Sequence, residues 1–191
     1  MKLKYNAPTV LTYAIISAVV LVLSSTIFRG LIPAWFTVPG RGGFHPGLVR
    51  SWITLFTHAV GHASWNHLIA NFSFILLLGP ILEENYGSRP LLAMIAVTAL
   101  VTGVLNVLIF PTALLGASGV VFMMILLASF TNFSRGEIPL TFILILVIYI
   151  GREIFNSFSS DNISEFAHIA GGFCGSLFGF FRSQPRQKSR P

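Results

Sequence analysis

Six stretches of this chain, near residues 8–28, 66–82, 91–110, 117–133, 138–155 and 165–181, are almost free of charge. Each approaches the ~20 apolar residues that a helix needs to cross a bilayer. With 54% apolar and only 9% charged residues, the chain has too little polar surface to cover itself in water. Lipid is the solvent it requires. The fold class expected is therefore an all-α integral membrane protein with six transmembrane helices. The first stretch follows Met1-Lys2-Leu3-Lys4 like a signal peptide. Its apolar run exceeds the usual ~7–15 residues and has no clear small-x-small cleavage site, so it reads as a helix.

An even number of spans puts both ends on one side. Lys2, Lys4, Arg89, Arg135, Arg182, Arg186, Lys188 and Arg190 then share that side, 8 cations against the 4 of Arg29, Arg41, Arg50 and Arg152. The excess marks the cytoplasm. Residues 1–191 read as one membrane domain, with 1–7 and 183–191 as cytoplasmic tails and 29–65 as the first extracytoplasmic loop. Of the cations behind the net charge of +6, Arg182, Arg186, Lys188 and Arg190 gather beside a span in the C-terminal tail, which fits anionic lipid headgroups rather than nucleic acid. In the loop, Pro33, Pro39, Gly40, Gly42, Gly43, Pro46 and Gly47 break any regular element, while Trp35, Phe36, Trp52 and Trp65 favour the headgroup level. A structured loop on or partly in the outer leaflet is expected. The single cysteine, Cys174, leaves no intramolecular disulfide and sits in an apolar run that suits packing.

Against this background two short runs stand out, Gly116-Ala117-Ser118-Gly119 and Ala167-His168-Ile169-Ala170-Gly171. A hydroxyl is cheap in hydrocarbon, but an imidazole there is costly and reads as functional, with a partner to be named. Ser118 is that partner: a serine becomes nucleophilic when a positioned base takes its proton, and histidine is the base suited to neutral pH. Gly116 and Gly119 allow the tight backbone that a nucleophile at a helix start requires. His168 shares a stripe with Gly171 or Gly172, Gly175 and Gly179, a surface that lets a second helix come close. His67 and Asn71, four apart, lie on one helical face that continues through Phe74 and Leu78, and both can donate toward a common point. Such donors make an oxyanion hole. His58 and His62 read as residues that cap or tie down the loop. No acid or cysteine joins the histidines until Glu83, so neither a metal nor another cofactor is expected.

Several of these motifs, in this order and spacing, resemble the rhomboid intramembrane serine proteases in their six-helix core form. The likeness runs from about Trp52 to Arg182 and rests on Thr57-His58-Ala59 with His62, His67 and Asn71, on Glu83 before Gly87-Ser88, on Gly116-Ala117-Ser118-Gly119, and on Ala167-His168-Ile169-Ala170-Gly171 with Gly175. The resemblance implies Ser118 as nucleophile and His168 as general base without an acidic third member. It also implies oxyanion stabilisation by His67, Asn71 and the Ser118 amide. The implied substrate is a membrane-anchored protein entering laterally between the second and fifth helices. Phe74 on one side and the Ile148 to Phe155 region on the other are the expected gate. The implied location is the plasma membrane of a prokaryote.

The chain departs from the family in two places. Many relatives carry Trp-Arg five and four residues before the first loop histidine, where this chain has Ile53 and Thr54, which predicts a looser loop. Some bacterial relatives place a tyrosine four residues after the nucleophile, its ring packed on the histidine, and here that residue is Phe122. The ring is kept and the hydroxyl lost. The rival reading is a catalytically silent relative that binds transmembrane helices. Joint retention of Ser118, His168, His67 and Asn71 favours chemistry. Substrate and oligomeric state are not written in the sequence.

Overall fold

The structure, a computed structural model, describes residues 5–130, 140, 143, 144, 147 and 162–181. Its elements are α1 (Pro8–Thr26), α2 (Leu31–Trp35), α3 (Val49–Thr57), α4 (Trp65–Tyr86), α5 (Ser88–Ile109), α6 (Ser118–Phe130) and α7 (Asn162–Phe181). Among the described residues the one β-type pairing is an isolated antiparallel bridge between Val38 and Leu114. The helices α1, α4 and α5 are long and apolar enough to cross a membrane, and α6 is a shorter apolar helix. Their outward faces carry large apolar side chains such as Leu77 and Leu108, 66% and 63% exposed, an exterior that only lipid would wet favourably. The stretch expected at 138–155 lies outside the described residues except for Leu140, Ile143, Leu144 and Val147, which are helical and exposed. Residues 1–4 of the first tail, the whole of the second tail and the Ile148 to Phe155 side of the expected gate lie outside them too.

Helix α1 begins with Pro8, whose missing N–H costs nothing in a first turn. Its next two amides are satisfied by a different helix: the Glu83 carboxylate accepts from Thr9 N–H at 2.8 Å and Val10 N–H at 3.0 Å. An acid at a helix N-terminus complements both the free donors and the helix dipole. That use of Glu83 explains why α4 continues through Glu83 and Glu84 to Tyr86, beyond the apolar limit at residue 82. One turn away, Gly79 admits Val10, because a Cβ on that glycine would stand 2.6 Å from Val10 Cγ2. So α1 and α4 are pinned at one end by charge and packed closely beside it.

Helix α4 ends at Gly87, whose φ of +87° is reached without strain only by glycine, and α5 starts at the next residue. Along α5, Thr98, Thr102 and Asn106 form a buried polar stripe at four-residue spacing. The threonines return hydrogen bonds to carbonyls of their own helix, Thr98 to Met94 O at 2.8 Å and Thr102 to Thr98 O at 2.9 Å. Asn106 reaches out, donating to Thr112 O at 3.0 Å and Pro39 O at 3.4 Å. The 27–64 segment docks along this face. Val38 and Leu114 exchange two backbone hydrogen bonds of 2.9 Å, and Tyr13 of α1 donates to Ala59 O at 2.7 Å. Just before Ile53 and Thr54, Trp52 donates to Pro46 O at 2.9 Å and sets its ring edge-on to Phe44. The loop is structured, and these contacts hold it.

Candidate active site

The backbone entering α6 passes through Gly116 at φ +115°, a conformation that disfavours any residue with a side chain. Space demands glycine there as well. A Cβ at Gly116 would lie 2.7 Å from His67 Cε1 and Nε2 and 3.8 Å from Asn71 Nδ2. His67 and Asn71 therefore lie against the turn just ahead of Ser118, the first residue of α6. Their helix starts where it does because Ser64 caps it, its Oγ accepting from His67 N–H at 3.2 Å. Asn71 is 8% exposed, and its Nδ2 has no hydrogen-bond partner among the described residues. A buried amide donor left unmet is uncommon and calls for an explanation.

The histidine arrives from α7, which pairs more extensively with α6 than any other two described helices do with each other. Glycines set the separation. A Cβ at Gly171 would land on the Gly119 carbonyl, one at Gly175 on the Met123 carbonyl, and one at Gly119 would stand 3.2 Å from Ala167 O. Of the alternatives Gly171 and Gly172, the contact falls on Gly171, since Gly172 meets only Leu126 at an ordinary 3.6 Å. His168, between Ala167 and Gly171, is thereby held against the first turns of α6. Its ring stacks on Phe122, with centroids 4.4 Å apart and planes 8° from parallel. Ser118 and Phe122 are one turn apart on the same side of α6, so the residue on which the imidazole stacks is a near neighbour of Ser118 along the helix.

The other two histidines of the cluster turn to the backbone. His58 is buried, with Nε2 3.0 Å from Ala99 O, while its own carbonyl accepts from Gly116 N–H at 2.9 Å. In His62, Nδ1 lies 3.0 Å from Val60 O and Nε2 receives the Ala117 N–H at 3.4 Å. Both tie the loop, and both tie it to the turn before Ser118. Burial pushes each imidazole down from 6.5 to about 4. Between those values the unfolded chain binds protons that the folded one refuses, so their contribution is complete above pH 6.5 and is lost as pH falls toward 4. The thermal midpoint in detergent should accordingly drop between pH 7 and pH 4.5, and His62→Gln should flatten that dependence. An equal slope in the variant would refute it.

Ser118, His168, His67, Asn71, Gly116, Gly119 and Phe122 are thus gathered at the start of α6, and Phe74 lies further along α4, partly exposed. Cys174 is buried on α7. The sequence reading missed the second function of His58 and His62, which clamp the Gly116 and Ala117 amides. It also missed Thr98, Thr102 and Asn106, although polar residues at four-residue spacing in an apolar span are a readable signal.

This arrangement defines a helical membrane protein with a polar centre built where four segments of chain meet. A family model, Rhomboid domain, matches residues 49–185, and the chain belongs to the rhomboid family. It is 26% identical over 136 residues to "Rhomboid protease GlpG" of Haemophilus influenzae, an alignment covering 70% of this chain and 71% of that protein. To "Rhomboid-like protein 11, chloroplastic" of Arabidopsis thaliana it is also 26% identical over 136 residues, covering 70% of this chain and 45% of the relative. To "Rhomboid-related protein 1" of Caenorhabditis elegans it is 32% identical over 158 residues, 75% of this chain and 44% of the relative. The family is a membrane family that includes serine proteases.

Proposed function

We propose that this chain is an intramembrane serine endopeptidase that cleaves membrane-anchored proteins in or beside their transmembrane segments. The observation that carries the reading is the glycine-mediated contact of α7 with the first turn of α6, which brings His168, stacked on Phe122, to the helix that begins with Ser118. Ser118 Oγ attacks the scissile carbonyl carbon while the His168 imidazole takes its proton. His168 then returns that proton to the leaving amine as the C–N bond breaks, leaving an acyl-enzyme. A water, deprotonated by the same imidazole, attacks the ester and restores the serine. The negative oxygen of each tetrahedral intermediate is met by His67, Asn71 and the Ser118 amide. The unmet buried Nδ2 of Asn71 supports this role: a donor without a partner among the described residues is available to charge that develops only during reaction.

The same reading puts both termini in the cytoplasm, on the 8 to 4 distribution of basic residues, in the plasma membrane of a prokaryote. Substrate would enter beside α4 near Phe74. A fluorophosphonate probe added to the detergent-solubilised protein should label Ser118 and leave Ser118→Ala unlabelled. Absence of labelling in folded wild-type protein would point to the helix-binding, non-catalytic class instead.

A further inference from the structure

His62 is fully buried, and both ring nitrogens have backbone partners that dictate its tautomer. A carbonyl oxygen only accepts and an amide N–H only donates. Nδ1 therefore carries the proton given to Val60 O at 3.0 Å, and Nε2 offers its lone pair to Ala117 N–H at 3.4 Å. The preceding amide, Gly116 N–H, is held by the His58 carbonyl at 2.9 Å. Two consecutive amides just ahead of Ser118 are thus taken up by one segment of the loop. The ring is itself wedged, edge-on to His67 with centroids 5.0 Å apart and tilted against Phe72 at 5.7 Å. It touches an expected oxyanion donor with one surface and the turn bearing the expected nucleophile with another.

We infer that His62 is a positioning residue for the nucleophile: its imidazole, bridging Val60 O and Ala117 N–H, fixes the turn that presents Ser118 and withholds the Ala117 amide from the oxyanion. The inference rests on the reading of Ser118 as nucleophile. Backbone stabilisation of the intermediate then falls to the next amide along, that of Ser118, with His67 and Asn71 completing the set. Loss of the bridge frees the Ala117 amide and lets the turn relax, so the reacting groups lose alignment, while Phe74, beside which substrate would enter, takes no part in the bridge. The damage belongs to turnover and not to binding.

The test compares His62→Leu with His62→Gln in the full-length chain, in detergent and in liposomes. It measures kcat and KM on a membrane-anchored substrate, the rate of fluorophosphonate labelling of Ser118, and the melting curve. Leucine fills much of the volume with no acceptor, whereas the glutamine Oε1 can reach toward the Ala117 N–H. His62→Leu should lose on the order of 10²-fold in kcat and in labelling rate with little change in KM, the scale of a small misalignment, and His62→Gln should recover most of it. A folded His62→Leu protein that labels and turns over like wild type overturns the inference. Equal damage in both variants overturns it too, since only the volume of the ring would then matter. Should His62→Leu not fold, His62→Gln decides alone: labelling near the wild-type rate supports the bridge, and its loss in a folded protein refutes it. Wild-type protein that neither labels nor cleaves rejects the nucleophile itself, a result distinct from any effect at His62, and the inference falls with it.

Discussion

Ser118→Ala, His168→Ala and the double variant are each expected to lose the same cleavage activity on a membrane-anchored substrate, on the order of 10⁴-fold or more, instead of adding their losses. In the proposed dyad, nucleophile and base act as one unit. Without the imidazole the hydroxyl keeps its proton, and without the hydroxyl the imidazole has no proton to move. All three proteins should stay folded, with melting midpoints near wild type. Ser to Ala removes one oxygen from a partly buried position, and the backbone contacts between α7 and α6 are made by glycines that these substitutions leave alone. Cleavage of such a substrate in liposomes, with melting curves in parallel, is the measurement. A folded Ser118→Ala protein that cleaves at the wild-type rate would falsify the assignment and return the chain to the class that binds transmembrane helices without cutting them.

Three of the expected spans, those that became α1, α4 and α5, were legible because lipid leaves a coarse signature: apolar runs of the right length need no knowledge of their neighbours. Their ends were less legible for the opposite reason. The limit read at residue 82 stops short of Tyr86 because a carboxylate looks like a boundary until its partners, two amides 73 and 74 residues earlier in the chain, are known. Inside the 29–65 loop the prolines and glycines conceal α2 and α3, short helices held by contacts from elsewhere. The pairing of Val38 with Leu114 likewise depends on a register that neither strand of sequence states.

The residues proposed for the site could be singled out because polar groups are expensive in hydrocarbon: an imidazole in an apolar run has few structural excuses. What stayed hidden was the supporting architecture. A histidine that accepts from a backbone amide 55 residues away looks in sequence like any other loop histidine. The glycine stripe on the last helix was visible as a period, but whether Gly171 or Gly172 meets α6 depends on how the helix is rotated.

That choice leads to the second large effect. Gly171→Val is expected to abolish most activity and to lower the melting midpoint, whereas Gly172→Ala should behave like wild type. At Gly171 the first atom of any side chain collides with the Gly119 carbonyl and stands 2.8 Å from Gly119 Cα, both rigid backbone that no rotamer change can clear. Helix α7 must therefore move off α6. Overpacking of this kind costs about 1–3 kcal/mol or more, but the functional loss should exceed what that destabilisation explains. The displaced element carries His168 one turn away, and a shift near 1 Å in the geometry of reacting groups can cost on the order of 10²-fold in rate. At Gly172 the added methyl meets Leu126 Cδ1 at 3.6 Å, ordinary contact with a side chain that can yield. Activity normalised to folded protein separates the two causes, because a purely thermodynamic defect disappears on normalisation and a displaced imidazole does not. If Gly171→Ala, the mildest form of the collision, kept both the melting midpoint and the normalised rate of wild type, the close α6–α7 contact could not be what sets His168 opposite Ser118.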